Sequence, residues 1–224
     1  MSLRCIRTLL HSPKISAIHI FMARQLTFAL PVRGGKRRGA GRKRLDGGNK
    51  KGVPHLLRPE LARRHPVHAT LKVRGDAGYL CRWSCVKAIE SAFNAGRDRF
   101  GFRLVHYSIQ GNHLHLIVEA EDRRALSRGM QGLTIRLARA LNRVLRRAGK
   151  VFADRYHAHV LDTRREVAHA LRYVLENFRK HSWQQLAHGF VDACSSARFL
   201  IAVPKDAPVV APRTWLLRVG WRDH

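Results

Sequence analysis

Two histidines separated by one residue on a strand can hold a divalent cation, and the run Gly111-Asn112-His113-Leu114-His115-Leu116-Ile117-Val118-Glu119 supplies such a pair. Side chains alternate along a strand, so His113 and His115 share one face about 7 Å apart, while Leu114 and Leu116 turn to the other. Neutral imidazole is a common ligand of divalent metals. Taken alone, the pair is more often a half-buried strand with two solvent-side histidines. A second group of polar residues lies downstream. His169, Tyr173, Asn177 and Lys180 follow at steps of four, four and three, which puts imidazole, phenol, amide and ammonium on one helical face. A phenol is a nucleophile once ionised. A tyrosine in a helix is ordinarily core or boundary filler, but a polar stripe centred on one is less ordinary. A further His-x-His, His157 and His159, has no companion chemistry spaced around it and ranks below the first as a metal site.

The elements that must position these groups are legible in the patterning. Pro66–Val73 alternates and predicts a first strand, followed by a turn at Asp76-Ala77-Gly78. Tyr79–Ala95 has helical periodicity, with Gly96 as its stop. Leu104–Ile109 and His113–Val118 form a hairpin across Gln110-Gly111-Asn112, where glycine and asparagine can take positive φ. Asp122 to Ala148 predicts a long helix, with apolar residues at Leu126, Met130, Leu133, Leu137, Leu141, Val144 and Ala148. Arg136, Arg139, Arg143, Arg146 and Arg147 lie off that stripe, and Gly149 is the expected end. Residues 155–161 alternate again. Thr163-Arg164-Arg165-Glu166 is a capping box opening a helix to about His181. Pro204–Pro212 reads as a linker, and Thr214–Trp221 as a short last helix. The order β-α-β-β-α-β-α over 66–181 gives an α+β fold. It is a ferredoxin-like split βαβ sandwich with helices on one face of a central antiparallel sheet, plus a C-terminal helix bearing the tyrosine.

Charge narrows the partner. The chain carries 43 Lys+Arg against 15 Asp+Glu, a net charge of +28, which fits a polyanion such as nucleic acid. Arginine-rich phosphate and base recognition follows from the guanidinium fork. Residues 33–51 form an arm with nine Lys/Arg, six glycines and one acid, too polar to fold alone; Arg37, Arg38, Arg42, Lys43 and Arg44 are candidate DNA contacts, with Lys180 on the last helix. The cysteines, Cys5, Cys81, Cys85 and Cys194, form no C-x-x-C pair. Cys81 and Cys85 are spaced for one helix face, and a reducing, intracellular compartment fits. No apolar run approaches the ~20 residues of a membrane span, so no membrane partner is expected. Residues 1–21 are basic and partly apolar but lack a convincing cleavage site, and they read best as an extension upstream of a start at Met22. The domain plan is therefore 1–21 extension, 22–64 arm, 65–203 folded domain and 204–224 C-terminal segment.

With those residues in view, the chain resembles the single-tyrosine transposases of the IS200-like superfamily. GNHLHLIVE resembles their HUH motif, and Tyr173-Val174-Leu175-Glu176-Asn177 their nucleophile motif. Within that group the chain looks most like the REP-associated tyrosine transposases, on Met22-Ala23-Arg24-Gln25-Leu26, the arm Gly34–Lys43 and the first strand PVHATLKV. The resemblance covers residues 22–203. One departure is Phe178, where relatives often have proline after the Tyr-x3-Asn. The resemblance implies a catalytic Tyr173 and a Mg²⁺ or Mn²⁺ ion on His113, His115 and Asn177. It further implies a single-stranded DNA substrate with a hairpin, a 5′-phosphotyrosyl intermediate, and a monomer or homodimer in the bacterial cytoplasm, associated with the nucleoid. Two other classes remain: a non-catalytic binder of hairpin DNA or RNA on the same fold, and an RNA-binding module that stacks bases on sheet aromatics, for which Tyr107 is the one candidate on the predicted hairpin.

The arm carries a first expectation. Neutralising Arg42, Lys43 and Arg44 should flatten the slope of log K against log[salt] for DNA binding, because fewer counterions are released. Titrations at several salt concentrations measure it, and an unchanged slope counts against contact there.

Overall fold

A computed structural model of the chain describes residues 60–181 and 191–222, with backbone only for 177–181. The candidate contacts Arg37, Arg38, Arg42, Lys43 and Arg44 lie outside the described residues, as do the side chains of Asn177 and Lys180. Strand β1 (Val67–Lys72) leads to helix α1 (Trp83–Gly96), then to a two-residue strand β2 (Asp98–Arg99). The hairpin β3 (Phe102–Ile109) and β4 (His113–Ala120) follows, then α2 (Arg123–Val144), β5 (His157–Val160) and α3 (Arg164–His181). The sheet order is β2-β3-β4-β1-β5 and every pairing is antiparallel. Apart from the short β2, this is the α+β, ferredoxin-like order expected. No helix among the described residues is long and apolar enough to cross a membrane.

The main core lies between the sheet and α1 and α2. Leu71, Leu104, Tyr107, Leu114 and Leu116 meet Ile89 and Phe93 of α1 and Met130, Leu133, Leu137 and Leu141 of α2. Burying one such side chain contributes roughly 1.5–3 kcal/mol. The arginine face of α2 therefore lies on the side of the sheet away from α3. Asp122 caps α2, accepting the Ala125 N–H at 2.6 Å. A second cluster occupies the opposite sheet face. There Val167, Ala170, Leu171, Val174 and Leu175 of α3 pack on Val105, Ile117 and Leu161, and Leu217 joins them. The expected capping box forms at the start of α3: Glu166 N–H donates to Thr163 Oγ1 at 3.2 Å, and Thr163 N–H to Glu166 Oε2 at 3.3 Å.

Leu104 and Tyr107 both face the main core although they are three residues apart, which strict alternation forbids. A β-bulge between Leu104 and His106 reconciles them, and it leaves Val105 and His106 both on the α3 side. The bulge was not legible in the alternating pattern.

Several expected boundaries shift for tertiary reasons. Helix α1 starts at Trp83 rather than Tyr79, because Leu80 N–H donates instead to the Gly111 carbonyl at 2.9 Å and Arg82 is extended. Cys81 thus precedes the helix and shares no helical face with buried Cys85. Helix α2 ends at Val144 rather than Ala148. Arg146 takes φ +49°, and Arg147 N–H bonds back to the Asn142 carbonyl at 2.9 Å, a Schellman closure without glycine. In the turn 110–112 neither Gly111 nor Asn112 takes positive φ. Gly111 instead makes a close approach: a Cβ there would sit 3.0 Å from a ring carbon of Tyr79. Residues 204–212, expected as a linker, pack along β3. Val210 N–H donates to the Leu104 carbonyl at 2.9 Å, Asn94 donates to the Asp206 carbonyl at 3.0 Å, and Ala207 and Val209 are buried. The last helical turn, Leu216–Gly220, packs on α3, with the Arg164 guanidinium 4.7 Å from the Trp215 ring centre.

Gly129, inside α2, is set by the main core: a Cβ there would collide with the buried ring of Phe102. Gly129→Ala, normally favourable in a helix, should instead destabilise by about 1–3 kcal/mol through overpacking. A urea titration reads this, and a raised midpoint would contradict the packing.

Candidate active site

The site is built on the sheet face that α3 covers only in part. Register fixes who meets whom: Lys72 pairs with His113, Thr70 with His115 and His68 with Ile117. On the other side of β1, Thr70 pairs with His157 and His68 with His159. Directly paired residues share a face. His68, Thr70 and Lys72 therefore lie on the same face as His113 and His115, and so do His157 and His159. The second His-x-His, ranked below the first for want of companions, has them across β1.

His113 and His115 stack with ring centroids 6.2 Å apart and planes 16° from parallel. His115 also meets the Tyr173 ring edge-on, centroid to centroid 5.0 Å at 88°. His68 meets the same tyrosine at 5.9 Å. His115 Nδ1 lies 3.3 Å from His68 Nε2 and 3.3 Å from Thr70 Oγ1. Those contacts fix the ring and engage Nδ1, which leaves Nε2 as the nitrogen available to a ligand. Tyr173 takes its position from α3: it follows buried Ala170 by three residues, at the edge of the apolar stripe, and packs partly buried against that cluster.

Beyond Tyr173 the face opens into a cleft of about 700 Å³ between β5 and α3, lined by His68, His159, Glu166, His169, Arg172 and Glu176 among others. His159 Nε2 lies 3.2 Å from Glu166 Oε1. The structure thus brings together Tyr173, His113 and His115 of the expected set, and His169 borders the same cleft. His68 and Thr70 were missed by sequence reasoning. Both are visible in PVHATLKV, but only the β1–β4 register gives them a role.

Electrostatics favour uncharged imidazoles here. Burial, reinforced by the imidazoles of His159 and His157, lowers the His68 pKa to about 4. Burial, with His68 and His113 adding, lowers His115 to about 4. His113 is lowered as well, by burial and then by Lys72. Neutral rings with free lone pairs can ligate a cation or accept a proton.

Residues 66–177 match the family described as IS200-like transposases. The chain belongs to that family, and so to the DNA-processing enzymes. Its fold is similar to that of a solved REP-associated tyrosine transposase bound to a REP hairpin. The two share 14% identity at a TM-score of 0.54, over 72% of this chain and 93% of the other. No curated protein matches the chain.

The lowered pKa values set a pH dependence. The unfolded chain takes up protons on these histidines near the ordinary value of 6.5, whereas folded His68 and His115 resist until about 4, as does buried His106. Their contribution to stability is complete above pH 6.5 and lost as pH falls toward 4. The urea midpoint should therefore drop between pH 7 and pH 4.5. A midpoint that stays level over that window would contradict neutral, buried imidazoles.

Proposed function

We propose that the protein cleaves and rejoins single-stranded DNA beside a hairpin, with Tyr173 as the nucleophile. The observation that carries this reading is the Tyr173 ring set edge-on against His115, over the sheet face that also bears His113. Family membership supports DNA strand chemistry. The REP hairpin bound by the solved transposase of similar fold supports a REP-like hairpin as the structured part of the substrate.

Tyr173 contributes the attacking oxygen. Bond formation between that oxygen and phosphorus releases the 3′-oxygen of the neighbouring nucleotide. The products are a 5′-phosphotyrosyl DNA and a free 3′-OH, and reversal with another 3′-OH rejoins strands. A free phenol has a pKa near ~10, so the attack needs a setting that favours the phenolate.

The donor set fits a divalent ion through two neighbouring neutral imidazoles, His113 and His115, the second held by Thr70 and His68. No group of three His, Cys, Asp or Glu side chains suited to a metal occurs among the described residues. Asn177, one helical turn beyond Tyr173, is the third ligand in this proposal. Bound Mg²⁺ or Mn²⁺ would neutralise charge on the scissile phosphate. In this proposal the protein acts as a monomer or a homodimer.

Incubation with labelled hairpin DNA and Mn²⁺, followed by denaturing electrophoresis, tests the reading. Tyr173→Phe should abolish the covalent adduct and leave hairpin binding nearly unchanged, since the ring keeps its packing. His113→Ala and His115→Ala should each cut cleavage severely. Asn177→Ala should do less harm, because water can replace a neutral amide. An adduct formed by Tyr173→Phe at the wild-type rate would assign the nucleophile elsewhere.

A further inference from the structure

Tyr79 is held unlike an ordinary surface side chain. One side of its ring rests on Gly111, where an added Cβ would lie 3.0 and 3.2 Å from two ring carbons. Two residues on, the Cys81 thiol donates to the Ile109 carbonyl at 3.3 Å, which holds the chain beside the ring. The backbone is tied as well, through Leu80 N–H on the Gly111 carbonyl. Yet 57% of Tyr79 remains exposed. A ring anchored on one side and open on the other loses little conformational freedom when something lies on it.

Its place in the fold matters as much. Gly111 lies in the turn just before β4 and precedes His113 by two residues, a span of at most ~7 Å and within reach of one extended nucleotide. Cations gather at the same end of the sheet, although the Asp192 carboxylate also lies close enough to act on Tyr79. Lys72 pairs with His113, and Val73 N–H bonds the Asn112 carbonyl at 2.9 Å, so the end of β1 runs beside this turn. Arg82 is exposed three residues after Tyr79. At the start of α1, Trp83 is 62% exposed with the Lys87 ammonium 4.8 Å from its ring centre. Nearby Asp76 is already engaged by Arg74 and Arg147, each at 3.2 Å. Cations beside an exposed, fixed aromatic ring suit a single-stranded nucleic acid, whose phosphates and base faces they match.

We propose that Tyr79 is a stacking platform for an unpaired DNA base next to the phosphate handled at His113, His115 and Tyr173. The proposal rests on the function argued above and adds the contact that fixes the strand on the hairpin side of the site. Every base has a π face, so the platform positions the strand without reading its sequence.

The test uses the full chain carrying Tyr173→Phe, which removes covalent chemistry, and fluorescein-labelled hairpin oligonucleotides with single-stranded tails. Tyr79→Phe should bind as the parent does. Tyr79→Ala and Tyr79→Leu should weaken binding by about 5- to 150-fold, the range for losing one stacked base. Circular dichroism melts check that both still fold. Independently of any change at Tyr79, 2-aminopurine walked along the tail should be quenched at one position next to the cleavage site. Undiminished binding by Tyr79→Leu, or no quenching at any position, overturns the platform while leaving the transposase reading in place. Failure of the parent to bind tailed hairpins at all overturns both.

Discussion

The arrangement of the site depends on one burial. The apolar stripe of α3 must leave water, and Val105, Ile117 and Leu161 form the apolar ground it packs on, on the side of the sheet opposite α1 and α2. Seating Val167, Leu171 and Val174 there fixes the rotation of the helix. Tyr173, at the stripe's edge, is then carried to His115 and His68. Glu166, His169 and Arg172, between the start of the helix and Tyr173, line the cleft at the open half of the sheet. The hydrophobic packing of α3 thus carries tyrosine to histidine.

Strand β4 shows how a single face divides its tasks. His113 and His115 lie at its beginning, Ile117 in the middle belongs to the α3 cluster, and Glu119 near its end is buried. Glu119 is satisfied by Arg103 at 3.3 Å and by the N–H groups of Arg213 and Thr214, at 2.9 and 2.7 Å. Arg103 also reaches Asp98 at 2.6 Å. This network ties the C-terminal segment to the sheet. Removing one partner of such a buried pair leaves an uncompensated charge and costs about 3–5 kcal/mol. The linker expected at 204–212 and the segment after it are therefore part of the domain, holding Leu217 against α3.

The electrostatic contrast is informative. A chain of net charge +28 keeps His68 and His115 neutral through burial, while many of the described arginines, Arg82, Arg124 and Arg128 among them, stay exposed. That division suits a polyanion held by the periphery and handled chemically at uncharged nitrogens. The alternative of base stacking on sheet aromatics, as in many RNA-binding modules, finds no support on the hairpin. Tyr107 is fully buried against Phe93, with its hydroxyl donating to Glu90.

Much of this was legible in the sequence, because it depends on local periodicity and local chemistry. Alternation in Pro66–Val73 and in the hairpin, the 3.6-residue stripes of α2 and α3, and the Thr163–Glu166 box each encode an element in adjacent residues. The shared face of His113 and His115 follows from strand geometry alone. What pairing decides was not legible. The bulge at Val105 answers a packing demand from both sheet faces. The start of α1 is set by a bond from Leu80 to Gly111, thirty-one residues on. The fold-back of 204–212 depends on an exposed strand edge far along the chain. The clearest case is the histidine face. The sequence by itself determined that His113 and His115 point together. Only antiparallel register, a relation between segments distant in the chain, decided that His68, Thr70, His157 and His159 point there too, and only the burial of α3 decided that Tyr173 joins them.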